Sequence, residues 1–213
     1  MPADDFGRIE AYVRAHGLLQ RLENERIVVI RDFAPEDVAR SVAEAVREQG
    51  DWYALSDDVQ GFHFRSRPLE ALAGSVGAAV RALVKTAVPG HLPMFATARY
   101  EAGHKLEAHS DKALVNVEDR GVHSRLYAGV WYLTENWDPA DGGAFVDVET
   151  GDEIVPTFNT FVGFKVPLWH QVTPVRRGVR ISVFGWWLAP GRCYEFPGPV
   201  PEIKWRVPDE YGL

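Results

Sequence analysis

A single cysteine, Cys193, excludes an internal disulfide framework, so the fold must be held by its core rather than by covalent staples. The thiol lies in the Pro/Gly-rich stretch "APGRCYEFPGPVP", which suits a structural or incidental cysteine better than a nucleophile. No apolar run reaches the ~20 residues that span a bilayer, and the opening "MPADDFGRIE" is acidic with no apolar signal region. A cytoplasmic protein without a membrane partner is the expectation. Basic clusters are missing too. The 23 Lys and Arg against 30 Asp and Glu leave a net charge of −7, which argues against a nucleic-acid partner. Repeats, low-complexity tracts and a convincing linker are absent, so 213 residues with 46% hydrophobic content read as a single domain over 1–213. Nothing in the pattern sets an oligomeric state.

What is present divides into two textures. Residues 1–93 read as a helical support region with short strands. "RIEAYVRAHGLLQRL" has helical spacing, "RIVVIRDF" reads as a strand, and "APEDVARSVAEAVREQG" reads as a helix with Pro35 in its first turn. "GFHFRS" alternates like a strand, and "PLEALAGSVGAAVRALVKTAV" has the strongest helical pattern in the chain. From Met94 to 189 the sequence becomes short Val-, Phe-, Tyr- and Trp-rich runs separated by Gly, Pro, Asn and Asp, the signature of a sandwich or barrel. Residues 190–213 form a tail. The fold class is therefore α+β and mainly β, with N-terminal helices packed on one sheet.

Within "ARYEAGHKLEAHSDKA", His109 and Asp111 stand two apart. On an extended segment they would project from one face. A second imidazole from a distant strand, His170 in "KVPLWHQVTPV", would complete two histidines and one carboxylate. That trio on one face of an octahedral metal suits Fe(II) and leaves three positions open for a chelating co-substrate and dioxygen. A dicarboxylic keto acid would need a buried cation for its far carboxylate. Arg180 in "GVRISVFGWW" is the candidate, Ser182 shares its face, and Tyr100 lies on the strand leading into the site. Plainer readings stand beside these. His170 could be a core histidine, Tyr100 and Tyr132 could simply pack, Ser182 could be structural, and Arg125 could form a surface ion pair.

In order and spacing, Tyr100, His109-Ser110-Asp111, "WYLTENWDPADGG", "PTFN", His170 and Arg180 resemble the Fe(II)- and 2-oxoglutarate-dependent oxygenases, specifically their prolyl-hydroxylase-like branch, over roughly residues 94–189. The resemblance implies a double-stranded β-helix (jelly roll) with His109, Asp111 and His170 as iron ligands. It implies Arg180, helped by Ser182, at the distal carboxylate of 2-oxoglutarate, with Tyr132 and Tyr100 lining the same pocket. Trp186, and more weakly Arg125, fall on the substrate side. Trp187, adjacent to Trp186, would face the opposite way.

The implied activity is hydroxylation of an unactivated C–H bond in an amino-acid-type substrate, whether free, peptidyl or a natural product. Dioxygen is consumed, succinate and carbon dioxide are released, and ascorbate would be stimulatory. Desaturation and ring formation belong to the same chemistry. An iron halogenase is disfavoured because Asp111 stands where that branch has Gly or Ala, and a cupin-type enzyme because His-x-His is absent. A non-catalytic 2-oxoglutarate-binding jelly roll would be signalled by a lost ligand, and none is lost. Between Asp111 and Arg125 the chain is longer than in short prolyl hydroxylases. Residues 112–124, charged and carrying Gly121, are expected to form a mobile lid over the substrate mouth. His63, His104 and His123 are expected at the surface or in loops, with His104 as a decoy ligand.

Overall fold

In the computed structural model, which describes residues 4–57 and 61–211, the first apolar periodicity is carried by two helices rather than one. Helix α1 (Asp4–Ala15) and helix α2 (Leu18–Asn24) meet at Gly17, whose φ of 59° is a left-handed conformation that glycine adopts without steric cost. Helix α3 (Glu36–Glu48) follows Pro35 and buries Val38, Ala39, Val42, Ala43 and Val46 as one stripe. The strongest helical pattern also divides: Leu69–Ala71 is a single 3-10 turn, and helix α4 (Gly74–Ala87) starts after it at Gly74, φ 67°.

The strands are β1 (Val28–Ile30), β2 (Tyr53–Asp57), β3 (Phe62–Pro68), β4 (Leu92–Glu101), β5 (Lys105–His109), β6 (Leu114–Val117), β7 (Gly121–Tyr132), β8 (Phe145–Asp147), β9 (Glu153–Ile154), β10 (Thr160–Lys165), β11 (His170–Val172), β12 (Val179–Pro190) and β13 (Lys204–Trp205). They form one sheet in the order β1-β10-β7-β12-β4-β3-β5-β11-β8-β9, with β2 on β3 and β6 between β7 and β13. The described pairings are antiparallel except β13 on β6. Strand β2 was not expected from its sequence: Tyr53 and Leu55 are both exposed, so no half-buried alternation marks it.

The sheet folds over on itself. Val172 of β11 packs with Ala98 and Tyr100 of β4, while Phe145 of β8 packs with Ala128 and Tyr132 of β7. This is the expected jelly roll. Strand β12 sorts its side chains by the two-residue period of a strand. Ile181, Val183 and Trp187 join the core beneath the helices, and Arg180, Ser182, Phe184 and Trp186 line the cavity inside the fold. Trp187 is fully buried, and its indole N–H donates to the Val84 carbonyl of α4 at 2.7 Å. Burying a large apolar side chain contributes about 2–3 kcal/mol, so this face fixes the helices to the sheet. Gly129 and Gly163, directly opposite each other, let the Phe161 ring lie against the backbone, since a Cβ on either would come within 2.6 Å of that ring.

The expected lid is a fixed corner of the sheet. Residues 114–124 form the β6–β7 hairpin, with Leu114 opposite Ser124 and Val117 opposite Gly121. Leu114 and Val117 are buried, and β13 pairs along the other edge of β6. The tail adds hydrogen bonds from Lys112 to the Glu195 carbonyl and from Asn116 to the Pro201 carbonyl. Charge in the sequence suggested mobility, but the apolar anchors and the tail lie too far along the chain to register in a local reading. His123, expected at the surface, is buried on β7, and its Nδ1 donates to the Gly121 carbonyl at 3.1 Å.

Candidate metal and co-substrate site

His109 ends β5 and His170 begins β11, and the two are opposite one another in the β5–β11 pair. Their rings lie 4.1 Å apart between centroids. Nδ1 of His109 contacts the Glu107 carbonyl at 2.8 Å, and Nδ1 of His170 contacts the Leu168 carbonyl at 2.9 Å. A carbonyl only accepts, so both Nδ1 atoms carry the proton and both Nε2 lone pairs face the site. That is the tautomer a metal requires. Phe145 stacks on His170 at 5.1 Å, and Phe164, itself 5.7 Å from Phe145, packs against the ring at 4.6 Å, so that the two phenyl rings hold the imidazole in place.

Asp111 does not share an extended segment with His109. Strand β5 stops at His109, and Asp111 takes a left-handed φ of 60°, a conformation aspartate tolerates better than most residues. The reversal brings its Oδ1 to 3.3 Å from His109 Nε2 and its Oδ2 to 3.8 Å from His170 Nε2. One ligand atom from each of the three residues lies within 4.8 Å of the others, the only such His/Cys/Asp/Glu group found among the described residues. Burial alone would raise the Asp111 carboxyl, but the His109 hydrogen bond and the charges of His170, His109 and Arg125 outweigh it and hold it below the ordinary carboxylate range. For His109 burial works downward, and the hydrogen bond and charge of Asp111 reverse it to a net upward shift. His170 is lowered by burial, which the Asp111 charge only partly offsets.

The cavity inside the fold has a volume of about 560 Å³ and adjoins an outer basin of about 620 Å³; His109, Asp111 and Arg125 border both. Arg180 is buried, donates from Nη1 to the Gly143 carbonyl at 2.5 Å, and places Cζ 4.0 Å from the Tyr100 ring and 5.4 Å from the Tyr132 ring. Its Nε and the Ser182 hydroxyl are buried without a hydrogen-bond partner. Burial pushes the Tyr100 phenol up to about 12 against the opposing Arg180 charge, and it raises Tyr132 as well. Both hydroxyls therefore stay protonated. Arg180, Ser182, Tyr100 and Tyr132 together offer the cavity a guanidinium, a serine hydroxyl and phenolic donors, a set suited to a buried carboxylate.

Arg125 is partly buried and makes no ion pair among the described residues. A β-bulge places it in the cavity. Leu188 and Trp187 of β12 pair with Arg125 and Tyr127, leaving Leu126 as the extra residue. Leu126 and Tyr127 both pack toward the helices, and the alternation is reset so that Arg125 points inward over Trp186. His104 is not a ligand: its Nδ1 accepts the Glu101 backbone N–H at 3.0 Å and shapes the turn between β4 and β5. His63 borders the outer basin and meets the Ser56 hydroxyl at 2.8 Å.

Two supporting residues carry no mark in the sequence. Asp147, directly across from His170, is buried and accepts from Arg26 at 2.6 and 2.9 Å, which holds its carboxyl down to about 2. Tyr194, in the tail, accepts the Ala113 N–H at 3.0 Å, and its hydroxyl lies 2.9 Å from the Ala113 carbonyl and 3.1 Å from that of Arg125. It ties the tail to the segment just after Asp111 and to Arg125. Replacing Tyr194 by Phe removes only the hydroxyl and should cost about 1 kcal/mol of stability in urea unfolding. An unchanged midpoint would show that this tie contributes nothing.

Comparison with known proteins gives these observations a family context. Residues 95–188 match the family model of the 2OG-Fe(II) oxygenase superfamily. A PKHD-type hydroxylase of Burkholderia ambifaria is 33% identical over 107 residues, covering 48% of this chain and 46% of that protein. Another, from Paraburkholderia xenovorans, is 33% identical over 90 residues, 41% of this chain and 39% of its own. The chain thus spans less than half the length of the curated relatives it matches. Among solved structures, a prolyl-4-hydroxylase from Pseudomonas putida superposes with a TM-score of 0.66 at 22% identity, covering 81% of this chain and 97% of that one. A prolyl hydroxylase from Trichoplax adhaerens, in complex with a hypoxia inducible factor oxygen degradation domain peptide fragment, superposes with a TM-score of 0.61 at 15% identity, covering 88% and 93%. The likeness extends the fold correspondence beyond residues 95–188 to most of the chain.

Proposed function

We propose, for a chain whose residues 95–188 match the family model of the 2OG-Fe(II) oxygenase superfamily, that it is an Fe(II)- and 2-oxoglutarate-dependent dioxygenase acting as a hydroxylase on an amino-acid-type substrate. The observation that carries this reading is the adjacency of two incomplete polar constellations. The three ligand atoms of His109, Asp111 and His170 gather on the wall of the cavity. The same cavity is lined by Arg180 and Ser182, whose Nε and hydroxyl are buried without a hydrogen-bond partner. A metal fits the first, since two neutral imidazoles and an ionised carboxylate are the donor set Fe(II) accepts. A dicarboxylate fits the second, since buried donors without acceptors are costly unless a ligand supplies them.

His109, Asp111 and His170 would hold the iron, and Arg180, Ser182, Tyr100 and Tyr132 would orient 2-oxoglutarate by its distal carboxylate. Bound Fe(II) with 2-oxoglutarate supplies the oxidising power for C–H hydroxylation, with dioxygen consumed and succinate and carbon dioxide released. The protein's own work is positioning and exclusion of water. Phe145 and Phe164 keep His170 in register, Arg180 fixes the co-substrate's orientation, and the apolar walls around Trp186 and Phe184 keep solvent from the substrate's carbon. We take residues 1–213 as one catalytic unit, because β1 to β3 from the N-terminal half and β13 from the tail belong to the same sheet as the site. Both a peptidyl substrate, of the kind bound in the Trichoplax structure, and a small-molecule substrate are compatible with this core.

The test is succinate formation from 2-oxoglutarate with Fe(II) and ascorbate, together with mass spectrometry of peptide and amino-acid pools for an added oxygen atom. Absence of succinate in every pool would overturn the proposal. A pH dependence follows from the ligands. Metal binding needs neutral histidines, and His109 is raised by Asp111 while His170 is lowered by burial. Protons should therefore compete first at His109. Mn(II) affinity, measured by calorimetry from neutral pH downward, should fall about tenfold per pH unit once His109 titrates, and more steeply when His170 follows. A flat profile across the histidine range would contradict ligation by these rings.

A further inference from the structure

We infer that Arg125, resting on Trp186, recognises a carboxylate carried by the substrate, so that the molecule oxidised is a small apolar acid of amino-acid size. This rests on the reading of the iron and 2-oxoglutarate site above and narrows its substrate class. The Arg125 Cζ lies 3.5 Å from the Trp186 ring centroid, and its Nε is buried without a hydrogen-bond partner. Asp111 acts on the guanidinium electrostatically from beyond ion-pair distance. The other charges around this mouth are engaged. Lys105 pairs with Glu107, and Lys112 donates to the Glu195 carbonyl and sits over Tyr194.

A guanidinium is always charged, and burying one without an anion is unfavourable unless a ligand completes it. Stacking on Trp186 fixes the plane of the group and leaves its N–H edge for a planar bidentate acceptor. A carboxylate matches that edge in both charge and geometry. A peptide carbonyl offers one neutral acceptor and adds no charge to the partial compensation from Asp111. The remaining walls are apolar, formed by Phe62, Phe64, Met94, Val130 and Phe184. A molecule filling them would present hydrocarbon to the His109–Asp111–His170 centre while its carboxylate is held at Arg125. The carboxylate has two possible sources, the substrate or the metal-proximal carboxylate of 2-oxoglutarate. The inference commits to the substrate.

The experiment uses the 213-residue chain loaded with Mn(II) and saturating 2-oxoglutarate, without turnover. Free L-alanine, valine, leucine, isoleucine, proline, methionine and phenylalanine are each titrated by calorimetry against their primary amides. At least one acid should bind about tenfold more tightly than its amide. Arg125→Met keeps contact with Trp186 but removes the charge, and should bring acid and amide to within about twofold, with 2-oxoglutarate affinity little changed. Arg125→Lys retains the charge without the fork and should recover part of the preference, which separates recognition from a folding defect. The inference is overturned if no acid outbinds its amide, or if the preference survives in Arg125→Met. A loss of 2-oxoglutarate affinity in Arg125→Met with an intact acid preference would assign the guanidinium to the co-substrate instead. If 2-oxoglutarate itself fails to bind the wild-type protein, the reading of the whole site fails, an outcome distinct from failure of the acid preference alone.

Discussion

His170→Ala is expected to reduce 2-oxoglutarate-dependent succinate formation by on the order of 10³-fold or more, while the protein still unfolds cooperatively. The expectation comes from where the ring sits. His170 is packed against Phe145 and Phe164, and its Nδ1 is committed to the Leu168 carbonyl. Its Nε2 is the atom aimed at the Asp111 carboxylate and the His109 ring. No other described His, Cys, Asp or Glu reaches this centre, so no neighbour can substitute as a ligand. Perturbing only the partners of a metal-bound histidine already costs about 10- to 100-fold, and deleting the ligand should cost more. His109→Ala and Asp111→Ala should behave alike, because each removes one of the three donors. The check is succinate quantified by NMR alongside thermal melts of the metal-free proteins. Turnover near wild type in a well-folded His170→Ala variant would remove His170 from the ligand set.

Arg180→Ala is expected to weaken 2-oxoglutarate by about 3 kcal/mol, on the order of 100-fold in apparent KM, within the range seen when one partner of a buried charge pair is truncated. Arg180 is held by the Gly143 carbonyl and by contacts with the Tyr100 and Tyr132 rings, so its position is set before any ligand arrives. A preorganised cation loses little on binding, which concentrates the effect of its removal in co-substrate affinity. Arg180→Met, which fills more of the vacated volume, should show the same loss with less structural disturbance. Pyruvate has no distal carboxylate to lose, so its use should change much less than that of 2-oxoglutarate. An unchanged KM for 2-oxoglutarate in both variants would mean that another group holds the distal carboxylate.

The order of Tyr100, His109, Asp111, His170 and Arg180 along the chain was enough to show the family resemblance and to anticipate the jelly roll, because each of these residues sits in a strand or turn whose local pattern is readable. Trp186 and Trp187 were correctly expected on opposite faces, since the two-residue period of a strand is a local property. Which of them met the cavity was decided by the helices, which cover one side of β12 and capture Trp187 through Val84.

Other features depended on contacts between distant segments. The bulge at Leu126 turns Arg125 inward only because β7 must stay in register with β12 on both sides of it. Asp111 reaches the histidines through a left-handed residue after β5, where an extended segment was expected. The 112–124 segment is charged enough to suggest a lid, but Leu114, Val117 and the returning tail pin it as a hairpin. Tyr194 has no local pattern that marks it, and it matters because the tail crosses back over Ala113 and Arg125. Residue type and spacing, which determine what a side chain can do chemically, are written locally in the sequence. The direction a side chain points depends on strand register and on which distant segment packs against it, and those are set only when the sheet closes.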